Sequence, residues 1–284
     1  MVLKKNNGVI PSTELDFAPA KVDVQNFPDG SMILRSPQSL LPYERQIGNR
    51  LRKAAKSVPD HVFLAERGSD RNWNKVTYVE AQKQADSISQ SLLERGMGGS
   101  QPLIILSQNS IKHALLTLGA MQVGVPVVPV SVAYSTVSTD YAKLKHIFSL
   151  VRPGMVFIET YEKFRKALAA VEVDGLEIVS VGQSESFTSF EELIAAVPGP
   201  QVEKAFQSVG PRSVAKYLFT SGSTGMPKGV INTQKMLCAN QQMIAQTRVS
   251  STPQYPVVVD WLPWNHTMGG NAIFNFVLWN QGTL

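Results

Sequence analysis

Within VTYVEAQKQADSISQSLLERG (residues 76–96), apolar and small residues recur at Ala81, Ala85, Ile88 and Leu92, the interval of one helix face. Thr77, followed three positions later by Glu80, is a capping-box pattern at the start of that helix, and Gly96 can supply a left-handed cap at its end. The period then changes. LIIL (103–106) is short and wholly apolar, as a strand covered on both faces would be. SQNS reads as a turn and N-cap, and residues 111–123 keep their apolar positions to one side up to Gly124. VPVVPV reads as a further strand whose prolines belong at an end or an edge.

The alternation continues. YAKLKHIFSLV is a helix that stops before Pro153, MVFI a strand, YEKFRKALAAV a helix, LEIVSV a strand and SFEELIAAV a helix. It predicts an α/β fold: parallel β-sheets flanked by helices in a layered arrangement, with right-handed crossovers. Residues 1–41 are rich in Pro and turn formers and read as an extended arm with short strands such as SMILRS. PGPQVEKAFQSVGPRS reads as a surface connection into VAKYLFT, a buried strand, and INTQKMLCANQQMIAQ reads as a helix with Met236, Asn240 and Met243 at helical spacing. Three regions are expected: the arm, residues 42–98 together with 250–284 as one α/β subdomain, and residues 99–249 as a second.

Composition narrows the class. With 43% hydrophobic and 17% charged residues, the 284-residue chain is of the globular kind and long enough for one large core or two smaller ones. Cys238 is the single cysteine, so no intrachain disulfide can form and a cysteine-based metal site is disfavoured, which fits a reducing, cytoplasmic setting. No apolar h-region follows the N-terminal lysines, and no apolar run approaches the ~20 residues needed to span a bilayer. The balance of 27 basic against 22 acidic residues, a net +5, is spread along the chain. Solvated surface lysines explain it, and it gives little support to nucleic-acid binding.

One stretch carries candidate chemistry: YLFTSGSTGMPKG, residues 217–229. It follows the carboxyl end of a strand, where α/β sheets bind ligands. Gly222 and Gly225 allow positive φ and close approach to an anion. The hydroxyls of Thr220, Ser221, Ser223 and Thr224 can donate to phosphate oxygens, Lys228 adds a positive charge, and Pro227 stiffens the exit. A Walker A loop is excluded, because Lys228 stands between Pro227 and Gly229 instead of preceding Ser or Thr. On composition alone a phosphate loop and a structural turn both remain open.

The full string closely resembles the signature loop of the AMP-forming acyl-CoA synthetases, the superfamily that includes luciferases and peptide-synthetase adenylation domains. VVVDWLPWNHTMGGN resembles a second superfamily element, in which an aromatic or His residue follows L-P-x-x and precedes glycines, and VVVDWL is expected as a strand of the parallel sheet. ILSQNSIKHALLTLGAMQVGVPVVPVSVAYS resembles the family's helix–strand region, and its wording, with STVSTDYAKLKHIFSLVRPGMVF and LPWNHTMGGN, is most similar to feruloyl-CoA synthetases. The resemblance runs from about Pro42 onward.

It implies a ligase that joins a carboxylate to the α-phosphate of ATP, with Mg²⁺, and then passes the acyl group to coenzyme A. The acid implied is a hydroxycinnamate such as ferulate; a medium- or long-chain fatty acid is the alternative, as is a nucleotide-binding fragment without turnover. Thr220, Ser221, Gly222, Ser223, Thr224, Gly225 and Lys228 would hold the β- and γ-phosphates and then the departing pyrophosphate, Lys228 acting catalytically through its charge. A lone His before a helix is more often structural, but the family's residue at His266 borders the acyl and adenylate site and helps position the carboxylate. Gly269 and Gly270 would begin the adjoining helix and leave room for the acyl group. Trp261 and Trp264 are candidates for an aromatic-acid pocket, with core packing the plainer role; His61, His113 and His146 lie outside any motif.

There are departures. The superfamily often has a Thr-His pair after the phosphate loop, whereas here Thr233 precedes Gln234. The family's later elements (the Tyr-Gly-x-Thr-Glu segment, the ribose-binding Asp, the hinge and the mobile domain with its Lys) have no counterpart up to Leu284. The resemblance therefore implies the N-terminal part of a longer enzyme, nearly inactive by itself and prone to self-association through exposed sheet edges.

Overall fold

The structure, a computed structural model, describes residues 17–182, 186–220, 225–248 and 255–284. In chain order its elements are β1 (Asp23–Asn26), β2 (Met32–Arg35), α1 (Gly48–Ser57), β3 (Val62–Arg67), β4 (Trp73–Thr77), α2 (Tyr78–Glu94), β5 (Leu103–Leu106), α3 (Ile111–Gln122), β6 (Val127–Pro129), α4 (Ala133–Thr136) and α5 (Ala142–Val151). There follow β7 (Met155–Ile158), α6 (Tyr161–Ala170), β8 (Glu177–Ser180), β9 (Thr188–Ser189), α7 (Phe190–Ala195), α8 (Pro200–Ser208), β10 (Val214–Thr220), β11 (Lys228–Thr233), α9 (Gln234–Thr247), a π-helical turn (Met268–Ile273) and α10 (Phe274–Trp279).

They form two compact units: Met1–Pro42 with Gln242–Gln254, and Tyr43–Gln241 with Tyr255–Leu284. The described part of the first is built on the antiparallel β1–β2 hairpin, in which Val24 faces Leu34. Its turn is held by Asp29, whose carboxylate accepts from the Ser31 backbone N–H at 2.9 Å. Val24, Met32, Ile33 and Leu34 are exposed.

The second unit holds a seven-stranded sheet in the order β11-β10-β6-β5-β7-β8-β9, parallel except for β11, which runs against β10. The α/β layering anticipated from the alternation is present. Strand side chains alternate between two apolar clusters, as the two-residue period requires. Leu103, Ile105, Met155 and Phe157 face the cluster built with α1, α2, α3 and α7, whereas Ile104, Leu106, Val156 and Ile158 face Leu144, Ile147, Phe164 and Leu168 of α5 and α6. Thr77 and Glu80 form the reciprocal capping box, and Ala81, Ala85, Ile88 and Leu92 are fully buried. Gly96 and Gly124 both have positive φ, as their place at helix ends demands. Side chains from both stretches read as separate subdomains, Phe63 and Phe274 from one and Leu103 and Phe157 from the other, share one apolar cluster.

Three local expectations are corrected. Residues 200–208 form α8 instead of a loose connection: Pro200 occupies the first helical turn, where its missing N–H costs nothing, and Val202 and Phe206, four apart, are buried. KGVINT is the edge strand β11, so the helix after the glycine-rich run begins only at Gln234. The β-branched residues Val230, Ile231 and Thr233, paired to β10, outweigh helix propensity there. VVVDWL forms no regular strand; Val257 makes a single isolated bridge to Thr283.

Candidate active site

The phosphate-loop candidate closes a hairpin, since Thr220 ends β10 and Lys228 opens β11 as its cross-strand partner. Ser221, Gly222, Ser223 and Thr224 lie outside the described residues. Thr220 and Lys228 are exposed at the carboxyl end of β10, and Gly225 sits at φ +87°, where a side chain would be strained. Pro227 is buried, and its carbonyl lies 3.1 Å from His146 Nε2. A carbonyl only accepts, so the imidazole donates its Nε2–H and ties α5 to the loop exit. No motif marks His146; its place seven residues before Pro153 gave no signal of this contact.

A second assembly lies under the His266 segment. His266 is exposed, its backbone N–H donates to Pro263 O at 3.1 Å, and its own carbonyl accepts from Gly270 N at 2.9 Å. The segment before it is gripped by Asn109, whose amide donates to Leu262 O at 2.8 Å and accepts from Trp264 N at 3.0 Å. Gly269 and Gly270 are buried in the π-helical turn. A Cβ on Gly269 would stand 2.5 Å from Leu262 O, and one on Gly270 2.1 Å from Trp264 O. The room these glycines leave is thus filled by the chain's own backbone, which presses the turn against Leu262, Pro263 and Trp264.

Beneath this turn sits Lys216, in the middle of β10 and fully buried. Its ammonium donates to Gly270 O at 2.7 Å and lies 5.6 Å from the Phe274 ring centre. Burial pushes its pKa down to about 7. His113 is next to it, with Nδ1 3.1 Å from Ser107 Oγ and 3.2 Å from Gln108 O; burial, with a lesser push from Lys216, lowers its pKa to about 4. It is neutral at pH 7. The Trp264 ring packs edge-on against both His113 and Phe274, which gives it the core role, while Trp261 is exposed.

Two larger cavities flank these parts. One of about 320 Å³ lies between the start of α9 and the turn after His266; Met236 and Met268 give it apolar walls, and Asn240, Asn271 and Asn275 polar ones. Asn275 is completely buried, and both of its side-chain polar atoms lack a protein partner. The other, about 550 Å³, lies against β3 and β4 and is lined by Leu64, Trp73, Val258 and Leu284. It is larger, and Val257 to Asp260 and Trp264 of the same segment line it, whereas the smaller cavity is lined by Thr267, Met268 and Asn271, which directly follow His266. Asn271 also donates to Asn232 Oδ1 at 2.9 Å, so β11 and β10 both reach the π-helical turn. The phosphate-loop hairpin and the His266 segment, far apart in sequence, share one scaffold.

A family profile described as AMP-binding enzyme matches residues 51–284. The chain belongs to this family. Among curated AMP-binding relatives, the long-chain-fatty-acid–CoA ligase ACSBG2 of Mus musculus is 23% identical over 84% of this chain and 37% of its own length. The sulfoacetate–CoA ligase of Cupriavidus necator is 26% identical over 66% of this chain and 34% of its own. The chain therefore spans little more than a third of these relatives. Among solved structures, the fatty acyl-adenylate ligase from L. pneumophila, in complex with acyl adenylate and pyrophosphate, superposes with a TM-score of 0.64 at 18% identity, over 84% of this chain and 38% of that one. The inhibitor-bound N-terminal domain of FACL13 from Mycobacterium tuberculosis gives 0.67 at 20% identity, over 85% and 57%. At such identities the likeness carries the fold. Among the described residues no helix is long and apolar enough to cross a membrane, and no group of three His, Cys, Asp or Glu side chains is placed to hold a metal ion.

Proposed function

We propose that this AMP-binding chain is the nucleotide- and acid-binding part of an ATP-dependent carboxylic acid–CoA ligase, working in the cytoplasm. The observation that carries the reading is the hairpin itself: a Gly/Ser/Thr run closed by Lys228, opposite Thr220, at the exposed carboxyl end of β10. Positive φ at Gly225 and an exposed cation fit a polyphosphate, and Mg²⁺ would enter as the ATP complex. Thr220, Ser221, Gly222, Ser223, Thr224 and Gly225 would donate from backbone and hydroxyl groups, and Lys228 would offset charge as pyrophosphate leaves. His266, exposed at the head of the π-helical turn, would donate to the carboxylate, with Gly269 and Gly270 keeping that wall close-packed. Coenzyme A would then accept the acyl group.

For the acid, the cavity beside His266 supports an aromatic acid with a polar ring substituent, a hydroxycinnamate such as ferulate. Its methionines suit a flat apolar ring, and the unpartnered Asn275 amide suits a phenolic hydroxyl. The fatty acyl ligases among the relatives favour a second reading, a medium- or long-chain fatty acid. Calorimetry with MgATP tests the nucleotide assignment: binding that Lys228→Ala weakens supports it, and no heat with the unaltered chain refutes it. ATP–pyrophosphate exchange by the full-length protein with ferulate, benzoate and fatty acids separates the acids.

A further inference from the structure

Lys216 is not explained by stability. It occupies an interior strand, paired to Val127 of β6 on one side and Asn232 of β11 on the other, and is 2% exposed. No salt bridge engages it among the described residues; a single backbone carbonyl and the face of Phe274 are what the surroundings offer the cation. The cavity at its tip, shared with His113, Thr117 and Trp264, is only about 10 Å³, so the amine does not reach solvent. Methionine would fill the same space without desolvating a charge, and such exchanges of a buried ion for a hydrophobe are often neutral or stabilising. What the side chain does here is therefore hold a partner through its Nζ.

What it holds is the joint between the two halves of the site. From Thr220, where the phosphate loop starts, β10 runs back to Lys216; its Nζ grips Gly270 O; Gly270 N in turn donates to His266 O. Close packing of both turn glycines on Leu262, Pro263 and Trp264 makes this connection stiff. We propose that Lys216 is a positioning residue: by donating from Nζ to the Gly270 carbonyl, it fixes the His266 segment in register with the strand that ends in the phosphate loop. The inference rests on the ligase reading above and deepens it, by naming the link that keeps carboxylate and α-phosphate at reacting distance.

The test is Lys216→Met in the 284-residue chain, with Lys216→Gln as a neutral-donor variant. Three quantities are read: denaturant midpoint, hydrogen exchange of amides 269–274, and affinity for MgATP and for a non-reactive acyl-sulfamoyl adenosine, which occupies both halves at once. Lys216→Met is expected to keep or raise the midpoint, to exchange about tenfold faster at those amides, and to bind the acyl-sulfamoyl adenosine about fivefold or more weakly. MgATP affinity should change by less than about twofold, and Lys216→Gln should recover part of the loss. Unchanged affinity for the two-part ligand, or a loss that equals the MgATP loss and follows a fall in the midpoint, overturns the proposal. If the unaltered chain binds neither ligand, the ligase reading fails, while the exchange rates still decide whether Lys216 holds the turn.

Discussion

Thr220 and Lys228 are cross-strand partners, the last residue of β10 facing the first of β11. A phosphate loop built on a hairpin differs from one that runs directly into a helix: both ends of the run are fixed to the sheet, and the residue that carries the cation at its exit pairs with the strand end where the run begins. Substituting exposed Lys228 by Ala should leave the fold intact. It should weaken MgATP binding by about 1.5–3 kcal/mol, the worth of a hydrogen bond to a charged group; titration calorimetry measures this.

Buried titratable groups shape the pH dependence of stability. Lys216 has a folded pKa of about 7 against an ordinary 10.5, so between these values the unfolded chain keeps a proton that the folded chain has released. Stability therefore rises with pH across this window. Cys238 (about 12 against 9.0) and Tyr78 (raised from 10.0) stay protonated in the fold while they ionise when unfolded, which opposes the rise above pH 9. Urea midpoints should climb from pH 7 to 9, and Lys216→Met should flatten that slope.

His113 acts on the acid side with the same sign. Held near 4 against 6.5, it stays neutral in the fold while the unfolded chain takes up a proton, so stability should fall as pH drops from 6.5 to 4. Replacing it with Gln should remove that part of the acid sensitivity in the same titration.

Gly270→Ala tests the close contact under the His266 segment. The added Cβ would meet Trp264 O at 2.1 Å, a backbone atom that cannot swing aside. A loss of about 1–3 kcal/mol is expected from overpacking, against almost none for Gly98→Ala, whose Cβ would meet nothing within 4 Å. Thermal melts compare the two.

Asn275→Leu tests the acid cavity. Removing a buried amide with no protein partner should stabilise the chain by about 1–3 kcal/mol. In the full-length protein it should lower KM for fatty acids relative to ferulate in pyrophosphate exchange. An unchanged ratio would remove Asn275 from substrate selection.

Much of this was legible from residue order. The capping box at Thr77 and Glu80, the apolar runs of β5 and β7 and the glycines after α2 and α3 each have a local cause, so sequence alone carried them. β11 was not legible, because KGVINT is decided by its pairing with β10, a tertiary fact. α8 was hidden by its flanking prolines and glycines, although Val202 and Phe206 were a usable sign. Lys216 and Asn109 were missed because their importance lies in partners 54 and 153 residues away. A lysine inside an otherwise apolar strand was the one signal available for the former.

The claim beneath the rest is that residues 220–228 receive the ATP phosphates. Amide shifts in an ¹⁵N-labelled sample titrated with MgATP test it most directly. The account predicts the largest changes at Thr220, Gly225, Lys228 and the residues between them. Shifts gathered instead around the β3–β4 cavity, or none at saturating nucleotide, would contradict it.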